Sequence, residues 1–344
     1  MNASLPESHG RIVASDFRPH PLLRDAHLQT LLGSLARPSP PLNLRIERLE
    51  LADGDFVDLG HCGDGEGPLV LLIHGLTGGF ESKHLRGTAR RLLRHGFRCV
   101  AFQQRGAGPE PNRLPRSYHH GASADVALVL EELRRREPHT PLYAVGWSLG
   151  ANVLLKHLGE DGERSPLSAA VAVCAPLSLR ECAEKLRRGF ARVYQNRLLY
   201  ELKLGLRRKH AQFALPIDFA AALRARDFFE IDDAVTAPLH GFADALDYYA
   251  RCSSGQFLRG IRRPTLIVNA LDDPFMTPDI IPPERELAPD VTLELSTHGG
   301  HVGFIAAGPR GLPYCWLEQR IAEHLAREAY GVAVEQPAQE AAPA

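Results

Sequence analysis

The chain carries almost no excess of charge. Its 40 lysines and arginines stand against 41 aspartates and glutamates, a formal net charge of −1. Such balance removes the broad electrostatic attraction that a nucleic acid or a strongly charged substrate would use. Long apolar runs are missing too: nothing approaches the roughly 18 uninterrupted apolar residues of a membrane span. The start, MNASLPESHGRIVASDF, has neither the basic beginning nor the apolar stretch of a secretory signal. Six cysteines (Cys62, Cys99, Cys174, Cys182, Cys252, Cys315) are scattered with no C-x-x-C pair, several of them in apolar runs. That usage excludes a disulfide framework and fits a reduced, cytoplasmic protein. Internal repeats are absent as well.

What is present is an ordinary globular composition, 344 residues at 44% hydrophobic and 24% charged, enough for one large domain or two small ones. Residues 1–43 read as an N-terminal extension with short helical pieces, closed by the Pro-rich ARPSPPLN. Two strand-like runs, LRIERLEL and DFVDLGHC, follow around the turn residues Asp53-Gly54. From PLVLLIHG (68–75) onward, continuous apolar runs alternate with helical periodicity: FRCVAFQQRG, LYAVGWS and LSAAVAVCAP are separated by helices near 82–95, 122–137 and after Ser148. This alternation predicts an α/β fold, a mostly parallel sheet covered on both faces, with the two early strands added antiparallel at one edge. The alternation stops near residue 177. Residues 178–258 read as helices only, a cap inserted into a core of 44–177 and 259–330, and the sheet resumes with PTLIVNALDD and VTLELSTHGGH. The tail, 331–344, is low in complexity and reads as disordered.

In an open parallel sheet the working groups gather at the carboxyl ends of the strands. Gly146-Trp147-Ser148-Leu149-Gly150 stands at such an end, where a buried strand passes into a helix. The two glycines allow the tight approach of strand and helix, and the serine is lifted clear above a helix N-terminus, the arrangement of a nucleophile elbow. A serine hydroxyl needs an adjacent base, itself oriented by a carboxylate, and on this architecture the order is serine, acid, histidine. Asp272-Asp273 ends one later strand, and STHGGHVGF follows the next with His298 and His301. His301 is the better base, because Gly299-Gly300 lets its loop bend over the serine. Asp273, just before Pro274, is favoured as the acid; Asp272 is the alternative, bonding the loop backbone. HGLTGG (74–79) follows the first long buried strand, so the N–H groups of Leu76 and Leu149 are assigned to an oxyanion hole, with His74 supporting the loop.

Other strings carry less. His120 and Asp125, and His20 and Asp25, each fit H-x4-D, but 16 histidines make about one such match expected by chance. His298-x-x-His301 has glycines between its members and no third ligand at a usual spacing, so no metal is expected.

The segments HLQTLL, HGLTGG, RGAGPEPNRLPRSYHHGASAD, GWSLGANVLLKHLGE, NALDDPFMTP and HGGHVGF, spread over residues 27–305, together resemble the α/β-hydrolases, and within them the YheT-like (AB hydrolase 4) group. The resemblance implies an α/β-hydrolase fold with Ser148 as nucleophile, His301 as base and Asp273 or its neighbour as acid; no cofactor is expected. It also implies hydrolysis of carboxylic esters, with acylglycerols or phospholipids as substrates among eukaryotic relatives. The partner expected is thus a small-molecule or lipid ester. The cap's basic residues (Arg187, Arg188, Arg192, Lys203, Arg207, Arg208, Lys209) suit weak contact with an anionic membrane surface or, more simply, a solvated helix face. Phe190, Tyr194, Leu198, Leu199 and Leu202 would then cover the site and help form an acyl pocket. Acyl transfer by the same serine, or a non-catalytic binding protein on the same fold, are the alternatives.

Overall fold

A computed structural model describes residues 9–35, 37 and 39–331. Among them one sheet runs through the molecule, built in chain order from β1 (Arg11–Ala14), β2 (Arg45–Glu50), β3 (Phe56–Cys62), β4 (Leu69–Ile73), β5 (Arg98–Gln103), β6 (Leu142–Trp147), β7 (Ala169–Val173), β8 (Thr265–Ala270) and β9 (Val291–Ser296). Across the sheet the order is β1-β9-β8-β7-β6-β4-β5-β3-β2. Neighbours from β1 through β5 are parallel, and β3 and β2 are antiparallel at the edge. Every residue of β4, β6, β7 and β8 is buried. Successive side chains point to opposite faces, so both faces of the central sheet are covered, which is why these strands read as unbroken apolar runs.

The covering helices are α1 (Ala26–Leu35), α2 (Lys83–Arg94), α3 (Ser123–Arg136), α4 (Leu149–Asp161) and a closing helix, Trp316–Tyr330. The closing helix packs on α2, and α3 packs on α4. Between β7 and β8 the chain leaves the sheet for a run of helices: α5 (Leu179–Leu186), α6 (Ala191–Gln212), α7 (Phe219–Arg224), α8 (Phe228–Ile231), α9 (Ala237–His240) and α10 (Ala245–Cys252). A single π-helical turn, Asp232–Thr236, joins α8 to α9. This cap has apolar clusters of its own, one of which holds Leu199 with Ala222 and Ile231. Another joins Leu186, Ala191 and Tyr194 to Leu31 of α1 and to Phe275 of the core.

Residues 9–43 do more than extend the chain. β1 pairs parallel with β9, Arg11 opposite Thr292 through Ala14 opposite Leu295, so the segment forms the sheet edge opposite β2. Phe17 then enters the core against Phe304 and Trp316. A four-residue strand with partly exposed side chains has no periodicity to reveal it in sequence. The tail expected to be disordered lies, from residue 332, outside the described residues, as do residues 1–8.

Candidate active site

Ser148 turns the chain from β6 into α4 with φ +51° and ψ −115°. That backbone region costs a non-glycine residue about 1–3 kcal/mol and persists only where the surroundings enforce it. They do so here through two bonds: Ser148 N–H donates to Val173 O (2.9 Å), and Asn152 N–H donates to Ser148 O (3.0 Å). Both flanking glycines are required by contact. A Cβ on Gly146 would lie 2.4 Å from Gly150 O, and one on Gly150 would lie 2.2 Å from Ile73 O at the end of β4.

The structure brings Ser148, His301 and Asp273 together. Ser148 Oγ lies 2.9 Å from His301 Nε2, and His301 Nδ1 lies 2.8 Å from Asp273 Oδ2. A carboxylate can only accept, so Nδ1 carries the proton and Nε2 faces the serine as an acceptor. Asp273 is 3% exposed and its other oxygen accepts from Phe275 N–H at 2.8 Å. The Phe275 ring lies flat on the imidazole, centroids 4.0 Å apart and 4° from parallel. Asp272 turns to the loop instead, accepting Gly300 N–H at 2.9 Å, and burial raises its carboxyl above the usual range. Gly300, at φ +58°, is where the loop folds back; a Cβ there would meet Ala26 O of α1 at 2.5 Å. His298 points elsewhere, to Thr297 Oγ1 at 3.0 Å.

The HGLTGG loop abuts the elbow: a Cβ on Gly75 would lie 3.3 Å from Ser148 Cβ. His74 is fully buried, donates from Nδ1 to Gly75 O (2.7 Å) and accepts Gln104 N–H at Nε2 (3.2 Å). Burial lowers its pKa to about 4, so it is a neutral brace for the loop. The next turn is fixed by Thr77 N–H donating to the Tyr118 hydroxyl at 2.8 Å. The amides of Leu76 and Leu149 find no acceptor among the described residues.

Above these groups lies a cavity of about 340 Å³ whose walls are mostly hydrocarbon, including Leu31, Leu179, Leu186, Leu198 and Met276. Of the cap residues expected to cover the serine, Tyr194 and Leu198 line this cavity. Leu199 is buried within the cap, Leu202 faces a second cavity, and Phe190 is 49% exposed. Cys174 Sγ comes within 4.8 Å of the ligand atoms of Asp273 and His301, a spacing a metal could use. The chemistry of the set argues against it: His301 and Asp273 are committed to each other, and burial holds the Cys174 thiol well above its usual pKa, hence protonated. Its sulfur instead accepts Val302 N–H at 3.3 Å.

A family described as the alpha/beta hydrolase fold matches residues 68–307. The chain belongs to that family. Among its relatives is Escherichia coli (strain K12) YheT, an esterase by name, 41% identical over 318 residues that span 91% of this chain and 93% of YheT. The mouse (Mus musculus) protein named phospholipase ABHD3 is 29% identical over 310 residues, 87% of this chain and 75% of ABHD3. Among solved structures, the Pyrococcus furiosus esterase PF2001 shares the fold with a TM-score of 0.57 at 17% identity, over 83% of this chain and 91% of that one. Family and sequence relatives together make this alpha/beta hydrolase a carboxylic ester hydrolase. None of its described helices is long and apolar enough to cross a membrane.

Two supports of the hydrolase site escaped the reading of its sequence. Thr30, on α1, accepts His301 N–H at 2.9 Å while donating to Ala26 O at 2.8 Å, so the histidine loop is pinned from the N-terminal segment. The second is a buried ionic hub within RGAGPEPNRLPRSYHHGASAD. Arg105, 1% exposed, pairs with Asp55 (2.8 Å), Asp125 (2.8 Å) and Asp53 (3.1 Å). Asn112 donates to Asp55 at 2.6 Å, and Lys209 of α6 donates to Asn112 Oδ1, Arg116 O and Ser117 Oγ. Asp125 therefore serves Arg105 from the first turn of α3, and the H-x4-D pattern has a structural explanation. Lys209 turns inward from the basic stripe, Arg187 and Arg188 pair with Glu184, Arg192 and Arg207 face solvent, and Arg208, though exposed, lines the second cavity. The signal for the hub was charge inside otherwise loop-like sequence, which reads as solvated until its partners are seen.

Proposed function

We propose that the enzyme cleaves short- to medium-chain acyl esters by nucleophilic catalysis at Ser148. The observation carrying this reading is the Ser148–His301–Asp273 chain of hydrogen bonds opening on an apolar cavity. Ser148 Oγ attacks the ester carbonyl carbon while His301 Nε2 takes the hydroxyl proton, and Asp273 holds the resulting imidazolium. The carbonyl oxygen becomes an oxyanion bound by the free amides of Leu76 and Leu149, the latter at a helix N-terminus. Collapse breaks the bond to the alcohol, which leaves with the proton from His301, and Ser148 remains acylated. Water then attacks the acyl carbon, gives its proton to His301 and releases the acid, restoring Ser148.

The acyl chain fits the hydrocarbon walls beneath α5 and α6, and the phospholipase relative supports lipid esters as the substrate class. The test is labelling of the intact protein with a fluorophosphonate, followed by peptide mapping and an ester panel of graded acyl length. A single adduct on Ser148 that disappears in His301→Ala is the expected result. A folded protein that takes no label and turns over no ester overturns the reading.

A further inference from the structure

A second cavity of about 200 Å³ lies under α6, beside the catalytic one. Two residues belong to the walls of both, Thr77 and Asp232. Thr77 follows Leu76 directly, and its amide is held by Tyr118, whose ring lines the second cavity. Asp232 opens the π-helical turn of the cap. The second cavity thus begins where the oxyanion loop and the cap meet.

The two chambers differ in chemistry. Hydrocarbon dominates the first, whereas Ser117, Glu201, Arg208, Lys209, Thr236 and His240 help line the second. Asp232 stands at their junction, its Oδ1 accepting from the Thr236 hydroxyl (2.6 Å) and Oδ2 from the Tyr249 hydroxyl (2.7 Å). No lysine or arginine forms an ion pair with it among the described residues. A half-buried carboxylate without a counter-charge is costly, and the two hydroxyls it accepts could be met by a neutral amide oxygen instead. Two hydroxyl donors leave lone pairs on both oxygens free for a further donor. π-Helical turns of this kind recur at functional sites.

We propose that Asp232 is a specificity-determining residue, accepting a hydrogen bond from a free hydroxyl on the alcohol part of the ester while the acyl chain lies in the catalytic cavity. The hydroxyl, imidazole and charged groups of the second chamber suit a polar alcohol part. The fitting substrate is an acyl ester of a small polyol, and the inference rests on the ester-cleaving role of Ser148.

The experiment compares 1-monooctanoylglycerol with ethyl octanoate in the parent enzyme, Asp232→Asn and Asp232→Leu. Both esters give the same acyl-enzyme, so their ratio of kcat/KM reads only binding and acylation. The parent should prefer the glycerol ester. That preference should fall about 10- to 100-fold in Asp232→Leu, and by less in Asp232→Asn, which keeps an acceptor oxygen and partners for Tyr249 and Thr236. If Asp232→Leu does not fold, the Asn variant decides alone. A parent without preference, or variants in which both esters fall in proportion, overturns the inference while Ser148 labelling and ethyl ester turnover leave the catalytic reading standing. Loss of labelling and of all turnover in the parent would overturn the catalytic reading instead.

Discussion

Two buried polar networks sit in this molecule, and they end differently. In the Arg105 hub every charge is met from within: three aspartates surround one guanidinium, and Asn112 and Lys209 close the remaining directions. In the Ser148 cluster the bonds run in a line, Asp273 to His301 to Ser148, and the line stops at a hydroxyl facing a cavity. The same kinds of side chain thus fix a loop in one place and leave a reactive atom in the other. What separates a site from a structural knot here is unspent hydrogen-bonding capacity, at Ser148 Oγ and at the Leu76 and Leu149 amides, next to open volume.

Mutations should separate the two networks. Ser148→Ala should lower kcat for ester hydrolysis by about 10⁵- to 10⁶-fold with the melting temperature little changed, measured with a p-nitrophenyl ester and by thermal unfolding. Asp273→Asn should cost about 10⁴-fold in kcat, because the wrong imidazole tautomer is then favoured. Asp272→Asn should cost on the order of tenfold, since the amide oxygen still accepts Gly300 N–H. Equal losses at the two aspartates would contradict the geometry. Asp55→Ala reverses the pattern: stripping one partner from buried Arg105 should destabilise the fold by about 3–5 kcal/mol in urea unfolding, while the folded fraction keeps labelling at Ser148.

Acid should act on the loop supports. Burial lowers both His74 and His120 to about 4, below the ordinary histidine value of about 6.5. The unfolded chain then binds more protons than the folded one between those values, so these two histidines should make stability fall as pH drops from about 6.5 to 4. Urea titrations across that window should show it, with a shallower slope in a His74→Gln variant that folds. The smallest effect lies at the hub. Lys209, lowered to about 7 by burial, loses its proton in the fold well before the unfolded chain does. Stability of the parent should therefore rise with pH from about 7 to 10 relative to Lys209→Met, and a constant gap between the two would refute that environment for Lys209.

Much of the sheet and of the candidate site is legible along the chain, for identifiable reasons. β4, β6, β7 and β8 are buried on both faces and therefore apolar throughout, so the parallel sheet showed in the residue order. Gly146 and Gly150 had to be glycine because backbone oxygens stand within 2.4 Å of where a Cβ would go. Residues at strand ends inherit their neighbourhood from the sheet, so Ser148, Asp273 and His301 could be paired across more than a hundred positions. Thr30 could not be found this way, because its role depends on α1 crossing to the His301 loop from the far edge of the sheet. Nor could Arg105, Asp55 and Lys209, whose charges look solvated along the chain and prove buried only when four segments converge, or the half-buried Asp125 that meets them.

The alternation of strands and helices, the elbow, and which residue types could react were legible along the chain, because periodicity and steric need are local properties. That Asp273 faces His301 while Asp272 faces the backbone, that the N-terminal segment pins the histidine loop, and that two cavities of different lining meet at Asp232 all follow from the packing of the whole chain. Those outcomes depend on which side chains meet across long separations, and no single stretch of chain contains both partners.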